Sequence, residues 1–66
     1  MNIKINGEDF TVEDLASITQ IIEKLEIKDK VLAVAQNGVV VKKDKWDSTQ
    51  VEDGDKLELL EFVGGG

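Results

Sequence analysis

The chain contains no cysteine, no histidine and no proline, and all of its basic residues are lysines. Without cysteine there can be no disulfide, thiol nucleophile, iron–sulfur cluster or zinc–thiolate site. Without histidine the commonest general base and the commonest transition-metal ligand are missing. Any chemistry falls to carboxylates, hydroxyls, lysines or the chain ends. Long apolar runs are lacking too, and Met1 opens a charged, alternating segment instead of an apolar targeting sequence, which predicts a cytoplasmic chain that enters no membrane. Positive charge is scarce: 8 lysines face 14 acids, a net charge of −6. Nucleic acid is disfavoured as a partner, because phosphate neutralisation needs a basic surface, and the overall charge favours a partner with a basic patch.

What is present is a composition that folds, with 41% hydrophobic and 33% charged residues. At 66 residues there is room for one small domain. A domain of that size buries only roughly 60% of the surface its unfolded chain exposes, so a deep catalytic cleft is not expected.

The periodicity divides the chain into short elements. In "MNIKING" the residues Met1, Ile3 and Ile5 alternate onto one face, and Asn6-Gly7 supplies the positive φ angles of a tight hairpin turn. "EDFTV" returns with Phe10 and Val12, so residues 1–13 read as a hairpin. In "SITQIIEKLEI" the period changes to that of a helix, with Ile18, Ile21, Ile22 and Leu25 on one stripe. Ser17 followed by Gln20 is a capping-box pattern, which predicts a helix from Ser17 or Ile18 to Glu26. "KVLAVAQNGVVV" repeats the strand, Asn-Gly turn, strand pattern at Asn37-Gly38. "KKDKWDSTQ" reads as a short irregular or single-turn segment carrying Trp46, "VEDGD" as a tight turn, and "KLELLEFV" as the last strand.

The order strand, strand, helix, strand, strand, strand predicts an α+β domain: a mixed five-stranded sheet with one main helix packed on one face. In so short a chain the economical arrangement brings the last strand back beside the first and parallel to it, which is a β-grasp fold. The domain is expected over residues 1–62, followed by a flexible glycine tail at residues 63–66, since glycine loses the most backbone entropy on ordering.

The stretches "LAVAQNGVVVKKDKW" and "VEDGDKLELLEFVGGG" resemble the ThiS family, the ubiquitin-like sulfur carriers of thiazole (thiamin) biosynthesis. The resemblance covers nearly the whole chain in order. It rests on the "LAVAQNG" strand and turn, the basic segment leading into Trp46, the turn at Asp53, Gly54 and Asp55, and the terminal glycines. Lys42 and Lys43 stand where many relatives have proline and arginine, and lysine cannot reproduce the planar bidentate bonding of arginine. The first 15 residues match in pattern only.

The resemblance implies that the functional group is the carboxylate of Gly66, with Gly64 and Gly65 completing the tail. In such a carrier an E1-like adenylyltransferase of the ThiF type, using ATP and magnesium, adenylates the C-terminal carboxylate. Sulfur from a donor such as a cysteine desulfurase then makes it a thiocarboxylate, which passes the sulfur to a thiazole synthase of the ThiG type. The chain itself would bind no cofactor and no metal and would be a co-substrate of its partners, not an enzyme. The residues suit this chemistry. A terminal carboxylate has a pKa of about 3.3–3.7, so at neutral pH it is ionised and a poor electrophile until adenylation supplies a leaving group. A tail without Cβ atoms fits a narrow channel, and residues 63–66 can reach roughly 13 Å at about 3.3 Å per residue.

Alternation in "KLELLEFV" places Leu57 and Leu59 on the core face and Leu60 and Phe62 on the other, beside Val63 and the tail. Leu60, Phe62 and Val63 are candidates for a partner-docking patch, or for a small cluster under a loop. Trp46 reads as a lid over the sheet edge with its indole N–H near water, or as an interface anchor. Lys42, Lys43 and Lys45 read as a solvated edge. Asp53 and Asp55 flank a turn glycine and are expected to cap backbone groups in place of binding a metal. The alternatives are a molybdopterin-synthase small-subunit-like carrier, which often has prolines before its last glycines, a ubiquitin-like modifier of lysines, and an interaction module with an inert tail.

Overall fold

In the computed structural model, residues 1–62 are described. Two Asn-Gly turns build the hairpins of the sheet. Asn6 and Gly7 have φ of 51° and 83°, and Asn37 and Gly38 have 51° and 84°. Such paired positive angles give a turn whose twist matches that of the flanking strands, and asparagine and glycine adopt them at little cost. The first turn joins β1 (Asn2–Ile5) to β2 (Glu8–Thr11), and the second joins β3 (Val31–Gln36) to β4 (Val39–Val41). β5 spans Lys56–Glu61.

The sheet order is β2-β1-β5-β3-β4. β5 lies parallel to β1, with Lys4 opposite Lys56 and Ile5 opposite Leu57, and antiparallel to β3, with Val34 opposite Leu59 and Ala33 opposite Leu60. The last strand therefore occupies the centre, as the β-grasp expectation requires.

One face of this sheet is covered by α1 (Ile18–Lys24), which buries Ile18, Ile21 and Ile22 against Ile3, Ile5, Val31, Val34, Leu57 and Leu59. The capping box forms as expected. The Ser17 hydroxyl accepts from the Gln20 backbone N–H at 3.1 Å, and the Gln20 side-chain oxygen accepts from the Ser17 N–H at 2.8 Å. The helix ends two residues before the expected Glu26, because Glu26 turns left-handed at φ 60°. The Glu26 N–H then bonds the Glu23 carbonyl at 3.0 Å and the Ile27 N–H bonds the Ile22 carbonyl at 3.4 Å, a Schellman closure. Leu25 and Ile27 pack on the core from the cap.

Two one-turn 3-10 helices, Lys28–Lys30 and Lys43–Lys45, precede β3 and follow β4. Among the described residues no helix is long and apolar enough to cross a membrane.

Candidate functional site

The site is built outward from β5. Its alternation holds: Leu57 and Leu59 are buried, while Leu60 and Phe62 are 61% and 62% exposed. The strand is anchored at its start and open toward its end. At the start, the Lys4 and Asn6 N–H groups bond the Asp55 and Leu57 carbonyls at 3.0 and 2.9 Å, and the Asn6 side chain accepts from the Leu59 N–H at 2.8 Å. Register with β1 runs only through Leu57, after which β3 alone accompanies β5. The Phe62 N–H donates to the Lys30 carbonyl at 2.6 Å. The central strand thus ends at the end of the sheet where β3 begins. Val63, Gly64, Gly65 and Gly66 lie outside the described residues.

At the opposite end of β5 the "DGD" turn is held by its own carboxylates. Asp53 accepts from the Asn2 N–H at 2.7 Å. Asp55 is 8% exposed, and its two oxygens accept from the Glu52 N–H at 2.8 Å, the Gln36 amide at 2.8 Å and the Asn37 amide at 2.9 Å. Burial works to raise the Asp55 pKa, but the hydrogen bonds from the Glu52 backbone and the Asn37 and Gln36 side chains outweigh it and hold the carboxyl below its ordinary value of 3.8. Three donors aimed at one ionised carboxylate make a structural anchor. Among the described residues no group of three or more acids comes together to hold a metal.

Trp46 must be corrected. It is 4% exposed, belongs to the core cluster, and donates its indole N–H to the Val41 carbonyl at 2.8 Å. The preceding 3-10 turn swings the ring inward, so its indole N–H is satisfied by backbone where water was expected. Its role is to seal the core beneath β4.

Leu32 escaped the sequence reading. It is 60% exposed and falls in a β3 irregularity between Val31, which faces Glu61, and Ala33, which faces Leu60. The extra residue turns Leu32 out of the core at the end of the sheet where Leu60 and Phe62 emerge. The signal was present in "VLAV", a run in which period two cannot put every residue inside.

A sheet of this order, with one covering helix and its last strand at the centre, parallel to the first, defines the ubiquitin-like β-grasp class. Comparison with known proteins narrows it. The ThiS family model matches residues 3–66. The thiamine biosynthesis protein (ThiS) of Geobacter metallireducens has a crystal structure that superposes with a TM-score of 0.83 at 36% identity, covering 100% of both chains. The sulfur carrier protein ThiS of Bacillus subtilis is 26% identical over 97% of this chain and 98% of its own. The thiazole synthase of Paramagnetospirillum magneticum is 33% identical over 100% of this chain, which spans only 20% of that protein. The chain belongs to the ThiS family, the ubiquitin-like sulfur carriers of thiamin biosynthesis.

Proposed function

We propose that the chain carries sulfur as a thiocarboxylate on Gly66 and delivers it to a thiazole synthase. The observation that carries this reading is the direction of β5. The strand is locked between two neighbours where it begins and accompanied by β3 alone where it ends, so the described chain stops at the open end of the sheet's central strand, directly before the residues that would carry the chemistry. The family match runs through the glycines to residue 66, which supports their being part of the same design.

In this reading a Gly66 carboxylate oxygen attacks the α-phosphate of ATP in a ThiF-type adenylyltransferase, with magnesium held by that enzyme, and pyrophosphate leaves. A persulfide sulfur supplied by a donor such as a cysteine desulfurase then displaces AMP from the acyl carbon. A second thiol on the partner side then attacks the outer sulfur of the resulting acyl disulfide, forming a disulfide with the donor and releasing the thiocarboxylate, so the partner thiols supply the two electrons. The chain contributes no acid or base to these steps. It acts as a co-substrate, and its work is to present an electrophile-to-be at the end of a thin tail. The occurrence of a similar stretch in a protein named thiazole synthase supports that enzyme as the acceptor.

Intact-protein mass spectrometry after co-expression with the activating enzyme and sulfur donor of its own host tests the proposal. Replacement of one oxygen by one sulfur at residue 66 is the expected result. An unmodified carboxylate, with those partners active on a control carrier, would overturn it.

A further inference from the structure

The two edges of the sheet are built alike and protected differently. β2 and β4 are the outer strands, and each is the second arm of an Asn-Gly hairpin. In a two-residue hairpin of this kind the residues flanking the turn, here Gln36 and Val39, bond each other, and the bonding then alternates along the pair. The Asn37 N–H, which donates to the Lys56 carbonyl on the β5 side at 2.8 Å, fits the same phase. Val40, opposite Ala35, therefore turns its N–H and carbonyl away from β3 and out of the sheet. By the same count Asp9, opposite Lys4, turns its main-chain groups outward from β2.

The side chains on the two edges differ. β2 carries Glu8 and Asp9, and charge on an outer strand is what keeps one sheet from joining another. β4 is Val39-Val40-Val41, with Val39 67% and Val40 69% exposed. No carboxylate occurs between Asp29 and Asp44, so in a chain with a net charge of −6 the whole β3–β4 hairpin is free of acid. Lys42 leaves β4 still extended, at φ −64° and ψ 147°, before the Lys43–Lys45 turn begins, and the outer side of Val39 and Val40 stays open.

We propose that β4 is an interface for a second copy of this chain, the two β4 strands pairing antiparallel about a two-fold axis at Val40 and joining two sheets into one. The identity of the paired strands favours a copy over any other occupant. In that register Val40 of one copy meets Val40 of the other and they exchange their outward N–H and carbonyl groups, Val39 meets Val41, and Lys42 meets Gly38. Each β4 residue thus finds a valine, and no lysine faces a lysine. The equivalent join at β2 would set Asp9 against Asp9, so the acidic edges end the assembly at two copies. Three residues on each side bury far less than the roughly 800 Å² per partner of a standard interface, which makes the pair weak, with Kd on the order of 0.1–1 mM. The pairing uses none of residues 63–66 and is independent of the carrier reading.

Sedimentation equilibrium from about 20 μM to about 2 mM, with amide hydrogen exchange followed by NMR, tests it. The average mass should rise toward that of two chains, and the Val40 N–H, free in the single chain, should exchange about twofold or more slowly at the top of the range. Val39→Lys alters the helix side of the edge and Val40→Lys the uncovered side, since Val39 lies opposite Gln36 and Leu57 in turn, and Val40 opposite Ala35 and Glu58. Either should hold the chain single at the highest concentration while it still melts cooperatively, both side chains being largely exposed. Leu60→Lys, exposed on the uncovered face of the central strand, should leave the dimer intact. A single-chain mass throughout, or a dimer lost with Leu60→Lys and untouched by Val39→Lys, would overturn the pairing. So would a chain that stays single at every concentration while its Val40 N–H becomes protected on adding the activating enzyme, which would give the edge to a strand of that protein.

Discussion

At the scale of single residues, the side chain that does most for its neighbourhood is one that resembled a catalytic or metal-binding group. Asp55 ties β3, the "DGD" turn and the start of β5 together through three donors. Its carboxyl is held below 3.8 in the folded chain, so its ionised form stabilises the fold above the ordinary carboxylate pKa. That contribution fades as pH falls below 3.8 and through the lowered folded value. Asp55→Asn keeps the shape but turns an N–H toward at least one of the three donors, which should cost about 1–3 kcal/mol. Urea unfolding at neutral pH is the measurement, and the same titration carried into acid should show a shallower loss of stability for the variant than for the parent. A variant with equal stability and an identical acid profile would mean that Asp55 is not an anchor. Trp46 offers a second residue-scale expectation. With its ring in the core and its N–H bonded to Val41, its fluorescence should be blue-shifted in the native chain and move to the red on unfolding. A native emission already at the position of the unfolded chain would restore the exposed reading.

At the scale of elements, what could be read from the sequence was what local rules control. The two Asn-Gly turns, the Ser17–Gln20 cap, the helical stripe of Ile18, Ile21 and Ile22, and the inward Leu57 and Leu59 each follow from a few adjacent residues. The parts that escaped depend on contacts distant in sequence. Leu32 is turned out by an irregularity that exists only because β3 must register with β5 on both sides of it. Trp46 is turned in by a single-turn helix whose composition, Lys-Asp-Lys, reads as solvated. The helix end is a local feature that propensity misjudged, since Glu26 fits the stripe's polar side yet takes the left-handed angle at which glycine is favoured. Replacing it tests the closure: Glu26→Gly should stabilise the domain by about 0.5–1 kcal/mol, the relief of a left-handed non-glycine residue less the extra entropy of glycine in the unfolded chain. A lower melting temperature would show that the Glu26 side chain makes a contribution greater than its backbone cost.

At the scale of the whole molecule, the proposed function assigns folding to the body and reaction to the C-terminal end. Among the described residues the buried hydrophobic core begins at Ile3 and closes at Leu59, and the bonds that fix β5 run as far as that from the Phe62 N–H to the Lys30 carbonyl. Stability and carrier chemistry should therefore come apart on truncation. If the proposed division holds, removal of Gly65 and Gly66 should leave the melting transition within about a degree of that of the intact chain, far less than the shift of about 4–8 °C that 1 kcal/mol produces in a domain of this size. The truncated chain ends on Gly64, two residues short at roughly 3.3 Å each. Its carboxylate then falls about 6–7 Å short of the position that the Gly66 carboxylate takes in the proposed reaction, too far for an oxygen to attack phosphorus. Adenylation, followed as pyrophosphate released with the activating enzyme, should fall to background while melting is unchanged. If activation persisted at the parent's rate, the position of the last glycine would be irrelevant and the carrier mechanism would fail. If instead melting collapsed, the glycines would belong to the folded body, and the separation of body and tail would be the part that is wrong.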